Sequence, residues 1–228
     1  MRRCPLCHND QAELSFQDKK RGFYLCPECR LLFADSSSYL LPDAEKQRYG
    51  RARQTGKQKQ LARFIHPLLD QLQSLQPTPL FGLNFGRVLS EDGLKQIRDA
   101  GHHLQQFDPF FAADHRLLHH QYDFICCFRV FEHFRTPAKE WGLIETLLKP
   151  GGWLAISTPL LTSLAAFPKW HYKNNPTHVS FYQQQTFAYL ASQGKFRLIF
   201  AAQDFILMQK TSGSAITRDL DAEPPLVD

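Results

Sequence analysis

The chain has 228 residues, of which 43% are apolar, and a formal net charge of +5. This length and composition suit a globular protein, built either as one large domain or as a small module followed by a medium-sized domain. No stretch approaches the ~18 consecutive apolar residues of a membrane span, and residues 1–3 lead into Cys4 rather than into an apolar signal core, so we expect a cytoplasmic protein with no membrane partner.

Four of the six cysteines form two C-x-x-C pairs near the start of the chain. Such pairs turn tightly around an ion, and two of them supply the four thiolates that a tetrahedral Zn²⁺ takes. With four soft ligands and no open position, a structural site is expected, and its predicted ligands are Cys4, Cys7, Cys26 and Cys29. Two disulfides or a redox C-x-x-C are the alternatives. Disulfides are rare in proteins that lack a signal peptide, and redox motifs do not occur as matched pairs, so both alternatives are disfavoured.

The segments around the cysteines predict how the first third of the chain is organised. Alternating patterns at 12–16 and 22–25 predict short strands, so we expect residues 1–35 to form a zinc ribbon. After a polar connector, a helix is predicted to begin at Pro42, and apolar residues at three- and four-residue spacing predict a second helix over 57–75. We therefore expect residues 36–77 to form a helical linker.

A run of basic residues falls within this linker. From Lys46 to Arg63 the chain has seven basic residues and no acidic one. A solvated helical face is the favoured interpretation, because most charge runs are of that kind. A stripe that contacts phosphates is the alternative.

Residues 78–210 alternate between strand-like and helix-like segments, which is typical of βαβ units. Strands are predicted near 80–85, 103–107, 124–128, 153–157, 197–201 and 205–209. Helices are predicted at 91–100, 137–148 and 184–193. The last two strands are too close for a parallel crossover, so the expected α/β fold is a Rossmann-like, doubly wound, mostly parallel sheet with an antiparallel last strand pair. The polar tail, 211–228, is expected to be disordered.

Three segments resemble the class I S-adenosylmethionine-dependent methyltransferase family. Residues 122–134, YDFICCFRVFEHF, resemble the fourth strand of that family with its Glu-His turn, and residues 148–154, LKPGGWL, resemble the turn into its fifth strand. Residues 170–181, WHYKNNPTHVSF, are similar to a segment in bacterial members that begin with a zinc ribbon. The resemblance implies methyl transfer from S-adenosylmethionine to an unidentified acceptor.

The glycine-rich loop that follows the first strand departs from the family pattern, which is an acidic residue and then G-x-G-x-G. Gly86 keeps the first glycine, whereas Val88 and Ser90 replace the other two and Asn84 replaces the acid. Glycine allows another group to approach the backbone closely, so Val88 is expected to narrow the cofactor site, with Arg87 adding a cation beside the sulfonium. We expect a weakened cofactor site.

The resemblance implies cofactor contacts for Gly82, Asn84, Gly86, Asp108, Phe128 and Arg129. Asp108 ends the predicted second strand, at the edge where open parallel sheets bind ligands, and its carboxylate suits the hydroxyl groups of a ribose. An aspartate in a surface turn before Pro109 is the alternative interpretation.

His133 and His178 are the predicted catalytic residues, because an imidazole titrates near neutral pH and can act as a general base. The predicted substrate contacts lie on loops, where functional residues gather, and they are Glu132, Trp170, His171 and Tyr172. A structural histidine and a loop pinned by aromatic burial remain the alternatives.

Two further functions stay open from the sequence. One is a catalytically inactive methyltransferase-fold protein that binds a protein or RNA partner through its zinc ribbon and basic helix. The other is a nucleic-acid-modifying enzyme, whose affinity would fall steeply with salt and which ranks below the first two readings.

Overall fold

The computed structural model describes residues 1–52, 58–73 and 79–212. In chain order the strands are β1 Glu13–Gln17, β2 Gly22–Leu25, β3 Leu32–Ala34, β4 Phe81–Phe85, β5 His103–Phe107, β6 Tyr122–Phe128, β7 Leu148–Ser157, β8 Ser180–Phe181, β9 Phe196–Ala202 and β10 Phe205–Lys210. The α-helices are α1 Pro42–Ala52, α2 Gln58–Gln73, α3 Glu91–Asp99, α4 Pro137–Leu147 and α5 Gln184–Ser192. The tail from residue 213 onward lies outside the described residues, as do the side chains of the basic run from Arg51 to Arg63.

A small antiparallel sheet carries the two cysteine pairs. Its order is β1-β2-β3-β8, so both predicted N-terminal strands form and two further strands extend them. Strand β8 comes from far along the chain and pairs with β3. Phe23, Phe167 and Phe181 pack together in the core behind this sheet. We call strands β1 to β3 the N-terminal hairpin, and it is joined to the rest of the protein by this shared sheet.

The large sheet has the order β5-β4-β6-β7-β10-β9. Strands β5, β4, β6 and β7 are parallel, whereas β10 runs antiparallel to both β7 and β9. This arrangement confirms the α/β fold with an antiparallel last strand pair. Within the described residues, no helix combines the length and apolar character that crossing a membrane requires.

Helices cover both faces of the large sheet. Phe124 and Cys126 lie in one core cluster with residues of α2 and α3, while Ile125 and Cys127 lie in the other with residues of α4 and α5. Because successive side chains of a strand point to opposite faces, a strand buried on both sides needs a continuous apolar run, which β6 has. Its two adjacent thiols are fully buried and fill space on opposite faces.

Helix α2 packs on the large sheet as well as connecting the two parts of the chain. Its apolar stripe includes Phe64, whose ring lies 5.4 Å from that of Phe128, and Ile65 and Leu68, which are fully buried. Residues at three- and four-residue spacing lie on one face of a helix, and in α2 this face packs on the sheet.

Gly82 in β4 is required by packing. A Cβ atom at this position would lie 2.2 Å from Cζ of Phe124, inside the ring of that side chain. Gly142 in α4 offers a matched contrast, since a Cβ atom there would meet nothing within 4 Å.

We predict opposite effects on stability for the two glycines. Gly82→Ala should lower the free energy of unfolding by about 1 to 3 kcal/mol, because an overpacked core must shift. Gly142→Ala should leave it unchanged or raise it by about 0.5 to 1 kcal/mol, because alanine favours a helix over glycine. Urea unfolding measures both, and equal destabilisation by the two variants would contradict the packing argument.

Candidate active site

The four N-terminal cysteines converge. Their sulfur atoms all lie within 4.8 Å of one another, with Cys4 Sγ 3.5 Å from Cys29 Sγ and Cys7 Sγ 3.4 Å from Cys26 Sγ. These separations exclude disulfides, whose sulfurs are about 2.05 Å apart, and they approach the roughly 3.8 Å between thiolates around a tetrahedral zinc. The cluster is therefore compatible with the predicted metal site.

The charge state of the cluster also suits a cation. Hydrogen bonding by the Cys29 thiol and by backbone N–H groups lowers the pKa of Cys4 to about 5, which favours the thiolate form that metal ions bind. Burial, together with the nearby charge of Cys4, raises the pKa of Cys26 to about 12. Further thiolates are opposed by burial and by repulsion, and a dication would remove that opposition.

The N-terminal hairpin grips a segment that lines the site described below. Arg21, almost fully buried, donates from Nη1 to the carbonyl oxygen of His178 at 3.0 Å and from Nη2 to that of Lys173. The backbone N–H of Ala34 donates to the carbonyl oxygen of Val179 at 2.9 Å. We call residues 171–181 the clamped segment, because these contacts and the β3–β8 pairing fix it to the hairpin.

A cavity of about 460 Å³ opens at the carboxyl ends of β4, β5 and β6. This strand-end cavity is lined by residues of these strand ends and by two from α1, including Phe85, Gly86, Phe107, Asp108, Pro42 and Glu45. Its size falls within the range of small-molecule sites in proteins. Gly86 has φ +106°, and a Cβ atom there would lie 2.4 Å from Val130 Cγ2, so glycine is needed for the loop to turn here.

Asp108 brings an unsatisfied acceptor to the strand-end cavity. Its Oδ1 accepts the backbone N–H groups of Phe110 at 2.7 Å and Phe111 at 3.2 Å. Its Oδ2 is buried and has no hydrogen-bond partner among the described residues. A buried carboxylate oxygen without a donor is unfavourable, and the hydroxyl group of a ligand would satisfy it.

Four of the six predicted cofactor residues do not line the strand-end cavity, and one of them, Arg129, lines a neighbouring pocket instead. Gly82 packs against Phe124, and Phe128 packs against Phe64 on the face that α2 covers. Asn84 is fully buried and donates from Nδ2 to the carbonyl oxygen of Arg87 at 2.7 Å, which holds the loop after β4.

The residues that replace the family's glycines do not block this cavity. Neither Val88 nor Ser90 is among its lining residues, and the cavity has a volume of about 460 Å³. Arg87 lines a neighbouring pocket instead.

That neighbouring pocket is polar and has a volume of about 320 Å³. Its lining comprises Arg48, Arg87, Arg129, Glu132, His133, His171, Tyr172, Asn175, Thr177 and His178. His133 lines both this polar pocket and the strand-end cavity. The structure thus brings together both predicted catalytic histidines with three of the four predicted substrate contacts, and the predicted cofactor residue Arg129 joins them. Trp170, the remaining predicted substrate contact, packs between Tyr172 and Phe181 outside the pocket lining.

Glu132 is fully buried at the base of the polar pocket. Its Oε2 accepts a hydrogen bond from Thr158 Oγ1 at 2.9 Å, and its Oε1 accepts one from the Tyr172 hydroxyl. Arg129 Nε lies 3.8 Å from Oε1, and the Arg129 guanidinium lies 5.2 Å from the ring centroid of Tyr172. A buried carboxylate is tolerated only with such partners, so Glu132 fixes the positions of the side chains around it.

The contacts of His133 define its tautomer. Its Nδ1 lies 3.0 Å from the carbonyl oxygen of Thr177, which only accepts, so Nδ1 carries the proton. Burial lowers the pKa of His133 to about 3, although the charge of Glu132 acts in the opposite direction. The ring is therefore neutral at neutral pH, and Nε2 is left with its lone pair.

His178 differs, because both of its ring nitrogens are engaged. Nδ1 lies 2.8 Å from the carbonyl oxygen of Tyr172, and Nε2 lies 3.0 Å from Asn175 Nδ2. Asn175 Oδ1 accepts from the backbone N–H and the hydroxyl of Thr177, which fixes the amide so that Nδ2 faces His178. Glu132, His133 and His178 offer ligand atoms within 4.8 Å of one another, and the oxygens of Glu132 and both ring nitrogens of His178 are already engaged in hydrogen bonds.

The chain was compared with known proteins. A family model described as a methyltransferase domain matches residues 42–199. A search of curated proteins found no match. Among solved structures, the fold is similar to that of 1,6-didemethyltoxoflavin-N1-methyltransferase from Burkholderia thailandensis, with 13% identity, a TM-score of 0.50, and coverage of 88% of this chain and 100% of that one. A magnesium protoporphyrin IX methyltransferase from Synechocystis matches at 11% identity and a TM-score of 0.42, over 74% of this chain and 94% of that one.

The lowered pKa of His133 predicts a specific pH dependence of stability. The unfolded state binds a proton near the ordinary pKa of 6.5, whereas the folded state does not until about pH 3. The contribution of His133 to the free energy of unfolding is therefore complete above pH 6.5. It decreases as the pH drops, by up to about 1.4 kcal/mol between pH 7.5 and 5.5.

The measurement is urea unfolding at both pH values. His133→Asn should reduce the loss of stability between pH 7.5 and 5.5 by that amount, while His119→Asn, at an exposed histidine, should leave it unchanged. An identical pH dependence in wild type and His133→Asn would contradict a buried neutral imidazole.

Proposed function

Because this chain belongs to the class I S-adenosylmethionine-dependent methyltransferase family, we propose that the strand-end cavity binds the cofactor and the polar pocket binds the methyl acceptor. The observation that carries this proposal is the open cavity beside Gly86 and Asp108. It also supports an enzyme over a catalytically inactive binding protein, since the altered glycine loop leaves space for a ligand.

Asp108 and the aromatic lining suit the nucleoside of the cofactor. Asp108 Oδ2, buried without a partner among the described residues, would accept a ribose hydroxyl. Phe107 and Phe110 line the same cavity and offer apolar surface to a base. Gly86, with φ +106° and Val130 packed against it, turns the loop after β4 so that its backbone lines the cavity.

Two glutamates compensate for the acid that Asn84 replaces. Glu45 and Glu140 both line the strand-end cavity, and burial raises the pKa of each. Arg135 donates to Glu45, and Thr136 Oγ1 donates to Glu140 at 3.2 Å. The ammonium group of the cofactor would find a carboxylate partner here, in place of the residue that the family pattern provides.

S-adenosylmethionine, when bound, supplies an electrophilic methyl group on its sulfonium. His133 lies between the two spaces, and its unprotonated Nε2 would accept a hydrogen bond from the methyl acceptor and orient it, because with a pKa of about 3 the ring is too weak a base to take the acceptor's proton at neutral pH. Glu132 and Tyr172 would contact and orient that acceptor. His178, which is held through both ring nitrogens, would position the clamped segment and not transfer protons.

We also propose that the cysteine cluster binds one Zn²⁺ in a structural role. The four sulfurs, which lie within 4.8 Å of one another, supply the donor set that zinc prefers. The metal would order the hairpin that holds the clamped segment, and through it the polar pocket.

The cofactor assignment predicts that S-adenosylhomocysteine binds. In isothermal titration calorimetry, Asp108→Asn should weaken binding by about 10- to 100-fold, because a hydrogen bond to a charged acceptor contributes about 1.5 to 3 kcal/mol. Asp114→Asn, at an aspartate paired with exposed Arg116, is the matched control and should bind as wild type does. No heat with wild-type protein at millimolar ligand would refute the assignment.

The zinc assignment predicts about one zinc per chain by elemental analysis after dialysis. Cys26→Ala should lose the metal, whereas Cys126→Ala, at a buried thiol in the large sheet, should keep it. Chelation should lower the thermal midpoint of the wild type, because metal binding contributes to folding of such small modules. Metal-free wild-type protein with an unchanged midpoint would count against this site.

A further inference from the structure

The polar pocket carries an excess of positive charge. Three arginines and one glutamate, Glu132, are its charged lining residues in the described part of the chain. Burial lowers the pKa of both His133 and His178, so both rings are uncharged at neutral pH and contribute nothing to the charge of the lining. The formal charge of the lining is therefore positive by two.

The three arginines differ in what holds them. Arg129 stays close to the Glu132 carboxylate and to the ring of Tyr172, so its charge is matched within the pocket. Arg48 comes from α1 and donates from Nε to Asn175 Oδ1 at 3.3 Å, a neutral acceptor. Arg87 comes from the loop after β4, and its charge is close enough to His133 to help lower the pKa of that ring. Arg48 and Arg87 thus bring positive charge to the pocket from two segments other than the one that carries Arg129 and Glu132.

From the sequence, Arg87 was expected beside the sulfonium of the cofactor. It lines the polar pocket and is not among the lining residues of the strand-end cavity. Arg87, at a variable position of the glycine loop, therefore supplies a cation to the polar pocket. Guanidinium groups bind planar and tetrahedral oxyanions through paired hydrogen bonds, which makes carboxylates and phosphates their preferred ligands.

Resting on the function proposed above, we propose that the methyl acceptor is a small molecule with a carboxylate or phosphate group, which Arg48 and Arg87 bind while the acceptor atom lies beside His133. A volume of about 320 Å³ suits a small molecule. The anion would balance the excess charge of the lining, and its fixed position relative to His133 would orient the acceptor atom.

The test measures anion binding to protein saturated with S-adenosylhomocysteine. Inorganic phosphate and acetate are the two probes, titrated separately by calorimetry or by NMR shift perturbation. One or both should bind, and Arg48→Gln and Arg87→Gln should each raise the dissociation constant by about tenfold or more. Arg197→Gln, at an exposed arginine in β9 bonded to Gln209, is the control for charge and should have no effect. The probe with the lower dissociation constant identifies the anionic group of the acceptor as a phosphate or a carboxylate.

The outcomes separate this inference from the proposed function, because S-adenosylhomocysteine binding is measured first in every variant. Normal S-adenosylhomocysteine binding with no anion binding, or with anion binding unaffected by both arginine variants, would overturn the anionic acceptor alone. A single-stranded RNA oligonucleotide that binds more tightly than phosphate and depends on the same arginines would also overturn it, in favour of a nucleic-acid acceptor. Absence of S-adenosylhomocysteine binding would instead refute the proposed function.

Discussion

The geometry of the site depends on the grip of the N-terminal hairpin on the clamped segment. Pairing of β3 with β8 and the hydrogen bonds from Arg21 hold residues 171–181 from one side. From the other side, the backbone N–H of Val179 donates to the carbonyl oxygen of Glu132 at 2.8 Å. The carbonyl oxygen of Thr177 accepts a hydrogen bond from His133 Nδ1. The cysteine cluster and the carboxyl-end edge of the large sheet are thus linked by a short series of direct contacts.

The strand-end cavity and the polar pocket differ in electrostatic character. The strand-end cavity is mainly apolar, with the unsatisfied oxygen of Asp108 and two glutamates, whereas the polar pocket is rich in arginine. A positively charged sulfonium is favoured on the acidic side and an anion on the basic side, so electrostatics alone would orient two ligands toward His133. The loop after β4 serves both spaces, because Gly86 lines one and Arg87 the other.

Much of the fold followed from local pattern. The spacing of the cysteine pairs specified their convergence, and the apolar run of β6 specified a strand buried on both faces. The end of the second strand located Asp108, because ligands in open parallel sheets lie beyond the carboxyl ends of their strands. Helix α2 was also predictable, since its apolar residues recur with the period of one helical face.

Other features were decided by contacts between residues far apart in sequence. Arg21 and His178 are separated by 157 positions, and no local period encodes their hydrogen bond. The same holds for Gly82, which resembled a cofactor residue but is required by the ring of Phe124, and for the two histidines, which differ only in what faces their nitrogens. The sequence alone thus determined most of the elements of the large sheet and the cysteine cluster, because these follow from short-range periodicity and residue chemistry, whereas β3 and β8 were not predicted. Tertiary packing alone decided which side chains face the cavities, since burial and hydrogen-bond partners exist only once distant segments meet.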